Sequence, residues 1–370
     1  MLPTSSAPFL SFLSRQLSTL TVRKIFSLNT VPFCVFIIQY LYRRLRQVHY
    51  MNTLTELKHK IKYIPQLPGI YKMLDAQGNT IYIGQSKCLQ KRVRTYFTPT
   101  HKRNKVDKLV SFIADLDYQV TDTHLEAKLL ECRLIKEIKP LFNSQLKNDG
   151  RYVYLKIEET YKPRQALTVT SQRSENSYGP FRQKYRLYEI IDALMTIFPI
   201  TKINDQYQLT YQPLPLSMDQ TSFNDNKNIL KELFSDTSCM DSFLATLENK
   251  MQQSAALYNY ATAAKYRDIM RGLNYLHFRI SDYNNFLSQD YLLKIPTTKG
   301  IKLFFVSKGQ ILAKKAIKNP TGVDLDAFIS AGYTLKAAVS TAADEKAAVD
   351  YHDIIYSEIK SLPQEAVKQI

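Results

Sequence analysis

The run Gly69-Ile70-Tyr71-Lys72-Met73-Leu74, Asp75-Ala76-Gln77-Gly78-Asn79, Thr80-Ile81-Tyr82-Ile83-Gly84 reads as strand, turn, strand. Two β-rich runs bracket Asp, Gly and Asn, residues that accept the backbone angles of a tight turn, so a β-hairpin is expected. Directly after it, Leu89, Val93, Tyr96 and Phe97 recur at a helical period with Lys87, Lys91, Arg92 and Arg94 between them. This predicts a helix with one apolar and one cationic face. A second helix is marked by Val106, Leu109, Val110 and Ile113, and a short strand by Leu116 to Thr121. Thr123 followed three residues later by Glu126 is a capping-box signature, opening a helix through Ile138 that stops before Pro140.

The chain around this run has 370 residues, 45% of them hydrophobic and 22% charged. That is room for two or three globular domains and argues against a disordered or membrane-embedded chain. Lys and Arg outnumber Asp and Glu by 50 to 33, a formal charge of +17. Such a balance favours a polyanionic partner, DNA, RNA or an anionic lipid surface, over a merely soluble basic protein. The four cysteines, Cys34, Cys88, Cys132 and Cys239, lie far apart with no C-x-x-C pair. Neither a zinc site nor a disulfide framework is indicated, and a reducing cytoplasm is the expected compartment.

Residues 1–50 stand apart: Arg15, Arg23, Lys24, Arg43, Arg44 and Arg46 are their only charged residues. Their apolar run from Val31 to Tyr42 is short of the roughly 20 residues a bilayer span needs, and no small-residue cleavage site follows it. The expectation is that translation begins at Met51, leaving 1–50 as an atypical extension. From there Leu54, Leu57 and Ile61 recur at helical spacing.

Two tyrosines on adjacent antiparallel strands, Tyr71 and Tyr82, can converge with Arg92 from one helix and Glu131 from a later one. Each has a plain explanation alone: half-buried strand aromatics, a solvated arginine. Glu131 is harder to place, because Ala127, Leu130, Leu134 and Ile135 define an apolar stripe around it. A carboxylate there is costly unless it is paired or bound to a metal, and both explanations stand.

Taken together, Gly69-Ile70-Tyr71, ten intervening residues, Tyr82-Ile83-Gly84, then Arg92, Tyr96, Glu131 and Asn143 resemble the GIY-YIG nuclease motif. The flanking Leu67-Pro68, Arg92-Val93-Arg94-Thr95-Tyr96-Phe97, Glu131-Cys132-Arg133-Leu134-Ile135-Lys136 and Pro140-Leu141-Phe142-Asn143 are similar to the N-terminal domain of the UvrC excinucleases and of their shorter homologue Cho. The resemblance implies an α+β fold with a small three-stranded antiparallel sheet flanked by helices. It also implies metal-dependent incision of DNA in nucleotide excision repair, on the 3′ side of a lesion.

By the same resemblance, Tyr82 is the expected general base, its pKa of about 10 lowered by the metal, Lys87 or Arg92. Tyr71 would orient water or phosphate, Arg92 would hold phosphate oxygens, and Glu131 would bind one Mg²⁺ or Mn²⁺. Tyr96 and Asn143 carry over as further catalytic-site residues, and Gly84, Gln85, Lys87, Lys91 and Arg94 as DNA contacts. One departure stands out: Gln85 occupies the place where the excinuclease pattern usually has Lys. His59, His101 and His124 read as surface or packing residues.

The expected organisation is a nuclease domain at 62–147, an α/β extension at 148–203, a linker with some helix at 204–240, a helical hairpin at 241–280 and a C-terminal module at 284–370. Within the fourth, Leu247 to Met251 and Tyr260 to Ile269 are similar to the UVR motif, which implies docking onto a UvrB-like protein. A hairpin packed only within its own chain is the alternative, and Ala261 stands where an acidic residue is common. Strands at Asp290 to Ile295, Ile301 to Val306 and Gln310 to Ala316 suggest a β-meander. They resemble the opening of an RNase-H-like unit without its completion, so a second, 5′ incision is not expected; Asp350, His352 and Asp353 read as a chance cluster. The functional rivals are a non-catalytic adaptor binding DNA and the UvrB-like protein, and a GIY-YIG nuclease for mobile-element or recombination DNA.

Overall fold

The structure is a computed structural model that describes residues 55–98, 104–338 and 345–370. The expectations for 1–50 and for a start at Met51 lie outside the described residues. A helix over 55–62 (α1) precedes strand β1 (Gly69–Leu74) and strand β2 (Thr80–Ser86). The turn between the strands closes on Asp75, whose carboxylate accepts from the amides of Gln77 (3.0 Å) and Asn79 (2.8 Å), while Gly78 takes φ +83°. Helices α2 (Leu89–Tyr96) and α3 (Asn104–Val110) follow, then strand β3 (Asp115–Val120) and helix α4 (His124–Ile138). The sheet is antiparallel in the order β2-β1-β3.

Strand alternation assigns the two faces. Tyr71 lies opposite Gly84 and Met73 opposite Tyr82, so these four share the face covered by α1, α2 and α3 with Leu57, Ile61, Leu89, Val93 and Leu109. Ile70 pairs with Gln85, and these point with Ile83 to the other face, under α4. Helix α4 begins at Thr123, whose side chain accepts from the Glu126 amide, as the capping signature predicts. Of the expected stripe Ala127 and Ile135 are buried, joined by Leu125 and Cys132. Leu130 and Leu134 stay partly exposed because α4 is covered from two directions, by the sheet and, at Leu125, by the C-terminal module.

The middle of the chain holds a second three-stranded sheet, β5-β4-β6, from β4 (Val153–Ile157), β5 (Leu167–Thr170) and β6 (Ser177–Phe181). Helix α5 (Lys184–Met195) and a small β7/β8 ribbon (Thr201–Ile203, Gln206–Gln208) follow. The linker with some helix expected at 204–240 has its helix from Gln220 onward. A helix, α6 (Gln220–Ser235), fills much of 204–240 and buries Phe223, Ile229, Leu230, Leu233 and Phe234. Its early polar residues masked the apolar spacing, and Asn226 is itself fully buried with its side-chain oxygen accepting from the Ile200 amide at 2.8 Å.

Helices α7 (Thr237–Ala256) and α8 (Tyr260–His277) form the expected hairpin, turning at Leu257 to Asn259. Its lower half packs within the chain: Tyr266, Ile269, Leu273 and Leu276 join the core that contains Leu155 and Phe181, and Gly272 rests against Ile190. Its tip is bare, with Leu257, Tyr258 and Tyr260 exposed.

After a short helix α9 (Tyr283–Ser288), strands β9 (Asp290–Thr297), β10 (Gly300–Ser307) and β11 (Gln310–Ile317) make the expected meander. Helices α10 (Gly322–Ala338) and α11 (Glu345–Ser361) cover it, and β12 (Val367–Gln369), too short to signal in sequence, joins β9 at its edge. This module is fastened to α4 by charge. Lys302 reaches Asp122 (2.6 Å) and Glu126 (2.7 Å), and Lys128 reaches Glu358 (2.8 Å). Asp350, 1% exposed, receives Tyr152, Arg182 and Lys136, and Arg279 pairs with Asp353 at 2.8 Å. The two aspartates are therefore no chance cluster: they tie together α4, the middle sheet, the end of the hairpin and α11. Among the described residues, no helix is long and apolar enough to cross a membrane.

Candidate active site

The first strand pairing places the phenols. Tyr71 is buried, at 1% exposure, with its ring over Gly84; a Cβ there would sit 2.4 Å from the Tyr71 hydroxyl. That close approach, rather than turn geometry, is why the second strand carries glycine. Gly69 is needed for a similar reason, since a Cβ would lie 2.3 Å from the Gln119 carbonyl on β3. Tyr71 shares a hydrogen bond with the Tyr96 hydroxyl (2.8 Å), and the three rings of Tyr71, Tyr82 and Tyr96 stand about 6 Å apart, centroid to centroid. Arg92, one helical turn before Tyr96, donates to its hydroxyl at 3.3 Å and lies 5.2 Å from its ring centre.

A cleft of ≈ 570 Å³ opens beside this cluster. Tyr82, Arg92, Tyr96, Glu131 and Asn143 line it, so five of the predicted residues meet on one surface. Tyr71 does not reach that surface; it acts beneath it, through Tyr96 and Arg92. Gly84 is buried under Tyr71 and offers no surface to DNA. Gln85 faces α4, while Lys87, Lys91 and Arg94 are exposed outside the cleft.

Asn143, carried over without a defined job, also supports the strand that bears Tyr82. Its side-chain oxygen accepts from the Ile83 amide (2.9 Å) and its side-chain nitrogen donates to the Ile83 carbonyl (2.8 Å). The Phe142 amide adds a bond to the Ile81 carbonyl at 2.9 Å. Residues 142 and 143 thus complete the open edge of β2 as a pseudo-strand and hold the backbone on both sides of Tyr82. The loop beyond, Ser144, Gln145 and Leu146, forms a wall of the cleft that the sequence did not signal.

The electrostatics single out Glu131. Burial pushes its carboxyl up to about 7, only partly opposed by a hydrogen bond from the Gln85 backbone amide and by the Arg92 charge. No salt bridge reaches it among the described residues. Tyr82 is not brought down by the protein's own cations. Burial, Tyr96 and the Glu131 charge push its phenol well above the usual range, and Arg92 offsets this only in part. Tyr71 is likewise pushed up by burial, with Tyr96 and Tyr82 beside it.

The donors around the cleft suit a hard cation: one uncompensated carboxylate, phenol and amide oxygens, and open volume for water and phosphate. Among the described residues no three His, Cys, Asp or Glu side chains gather, so Glu131 would be the single anchoring ligand.

Residues 67–144 match the sequence profile of the UvrC-like GIY-YIG domain. This segment belongs to the GIY-YIG family, in its UvrC-like branch. Over a longer stretch the chain is similar to UvrABC system protein C of Streptococcus pyogenes, in strains Manfredo and NZ131 alike, at 31% identity over 275 residues, 71% of this chain. It spans 46% of the length of those relatives. A crystal structure of the GIY-YIG N-terminal endonuclease domain of UvrC from Thermotoga maritima, bound to its catalytic magnesium, is 34% identical and covers 24% of this chain and 96% of that one, with a TM-score of 0.22. Tyr82, Arg92, Tyr96 and Glu131 all lie inside this segment, and the cleft wall at Gln145 and Leu146 lies just beyond it.

Proposed function

We propose that the GIY-YIG domain is a divalent-metal-dependent endonuclease that incises damaged double-stranded DNA in nucleotide excision repair, on the 3′ side of the lesion. One observation carries this reading: Glu131 is a half-buried carboxylate with no salt bridge among the described residues, opening onto a cleft that also holds a phenol and a guanidinium. Magnesium or manganese at Glu131 would supply Lewis-acid charge to the phosphate and the leaving oxygen. Arg92, extended over Tyr96, is placed to hold a phosphate oxygen and to offset the charge that grows in the transition state. The Tyr82 hydroxyl is a phenol at neutral pH, so it orients the attacking water through its oxygen. It becomes a base only when added positive charge brings its pKa down. Tyr71 and Tyr96 keep Arg92 aimed, and Asn143 fixes the strand on which Tyr82 rides.

The exposed tip of the hairpin, Leu257, Tyr258 and Tyr260, supports docking of 241–280 onto a UvrB-like protein, because bare aromatics on a rigid hairpin favour a partner surface. The positive charge of the chain supports DNA as substrate, and the cytoplasm is the matching compartment.

The test is nicking of a plasmid with a defined lesion in Mg²⁺, with and without the UvrB-like protein, by wild type, Glu131→Ala and Tyr82→Phe. Wild type nicks and both variants fail if the reading holds. A wild type that stays silent with the UvrB-like protein loaded favours the second reading, a non-catalytic adaptor, for which Gln85 in place of the usual lysine is the specific observation. Nicking that ignores both the lesion and the UvrB-like protein would point instead to mobile-element or recombination DNA.

A further inference from the structure

On the α4 face of the sheet, Gln85 has two polar neighbours. Its backbone N–H faces the Glu131 carboxylate and lowers that group's proton affinity, and its side-chain oxygen lies 2.6 Å from Nε2 of His124, the first residue of α4. A carboxamide oxygen only accepts, so the imidazole proton sits on Nε2 and Nδ1 is left as the acceptor. Nδ1 is buried and has no partner among the described residues. Burial and the charges of Lys128 and Lys87 push His124 down to about 4, against a weaker opposing pull from Glu358, so the ring stays neutral at physiological pH. The Lys128–Glu358 ion pair, at 2.8 Å, stands next to the ring and ties α11 to the same turn of α4.

This arrangement explains how a chain with glutamine at position 85 keeps its carboxylate in place. We propose that His124 is a positioning residue for the cation site: by holding the Gln85 side chain it fixes the peptide whose N–H steers Glu131. The inference rests on the nuclease reading and adds to it a residue outside the motif. A metal-binding carboxylate is aimed by the hydrogen bonds it accepts, and removing such a partner typically costs about 10- to 100-fold in metal affinity.

The test is Mn²⁺ binding to the full chain without DNA, read by electron paramagnetic resonance. Wild type binds and Glu131→Gln does not. His124→Leu and Gln85→Ala each weaken binding about tenfold. The double variant is no weaker than either single one, because both remove one bond. His124→Gln, which keeps a donor near the Nε2 position, restores most of the affinity, a rescue that packing alone would not give. Wild-type affinity in His124→Leu, or losses that multiply in the double variant, overturns the inference and leaves the nuclease reading standing. If His124→Leu loses its circular dichroism spectrum, Gln85→Ala removes the same bond from the strand side and decides alone. A wild type that neither binds Mn²⁺ nor nicks DNA sinks both readings together.

Discussion

Glu131 and Asp350 are both carboxylates taken out of water, and the chain treats them in opposite ways. Asp350 is surrounded by Lys136, Arg182 and the Tyr152 hydroxyl, drawn from three separate elements. Glu131 has one backbone amide and a more distant arginine, and its proton affinity rises accordingly. A buried acid that is fully answered by cations is part of the scaffold; one left short of positive charge is a site waiting for it. The contrast separates architecture from chemistry more sharply than burial does, since Asp350 is the more buried of the two.

The strongest way to break the comparison is to neutralise each acid in turn. Glu131→Gln is expected to lower the nicking rate by about three orders of magnitude, several kcal/mol of transition-state stabilisation, without lowering the melting temperature. Asp350→Asn should do the reverse, lowering unfolding free energy in urea by about 3–5 kcal/mol, because Lys136 and Arg182 would face a neutral amide. Arg92→Ala sharpens the picture from the substrate side, with an expected loss of about 10²-fold in kcat.

The smallest effect is the most diagnostic of sign. Because burial raises the Glu131 pKa above its unfolded value of 4.5, the folded chain binds the extra proton between there and about pH 7. Stability therefore falls as pH rises through that window. In metal-free buffer, Glu131→Gln should be more stable than wild type at pH 8 by an amount of the order of 2 kcal/mol, with the gain gone near pH 4. A differential melt that shows no pH dependence between the two proteins would place Glu131 on the scaffold side of the comparison.

Much of the site was legible because strand alternation and helical period place Tyr71, Tyr82, Arg92 and Tyr96 without any long-range information. Glu131 was legible as an anomaly, a charge inside an apolar stripe. What stayed hidden depends on contacts between distant segments. Tyr71 was expected at the substrate and lies beneath it, since nothing local reveals that Gly84 lets its ring collapse onto the neighbouring strand. Asn143 was expected at the site with its job left open, and its bonds to the Ile83 backbone stayed hidden because the vacancy at the β2 edge exists only once the sheet is formed. The burial that raises the Tyr82 pKa, and so enlarges the lowering that a base at this place needs, shows only in the folded chain. His124 looked like packing because its partner, Gln85, is 39 positions away. The helix at Gln220–Ser235 was hidden by polar residues that the folded core accommodates, Asn226 above all.

Helix α4 carries Glu131 and is also the surface on which the C-terminal module closes, through bonds such as Lys128 to Glu358 across 230 positions of sequence. A genetic screen for lost magnesium dependence would then collect lesions in two distant clusters, one beside the phenols and one in α11. Deep mutational maps of the two regions should share a phenotype even though no side chain of α11 lines the cutting cleft.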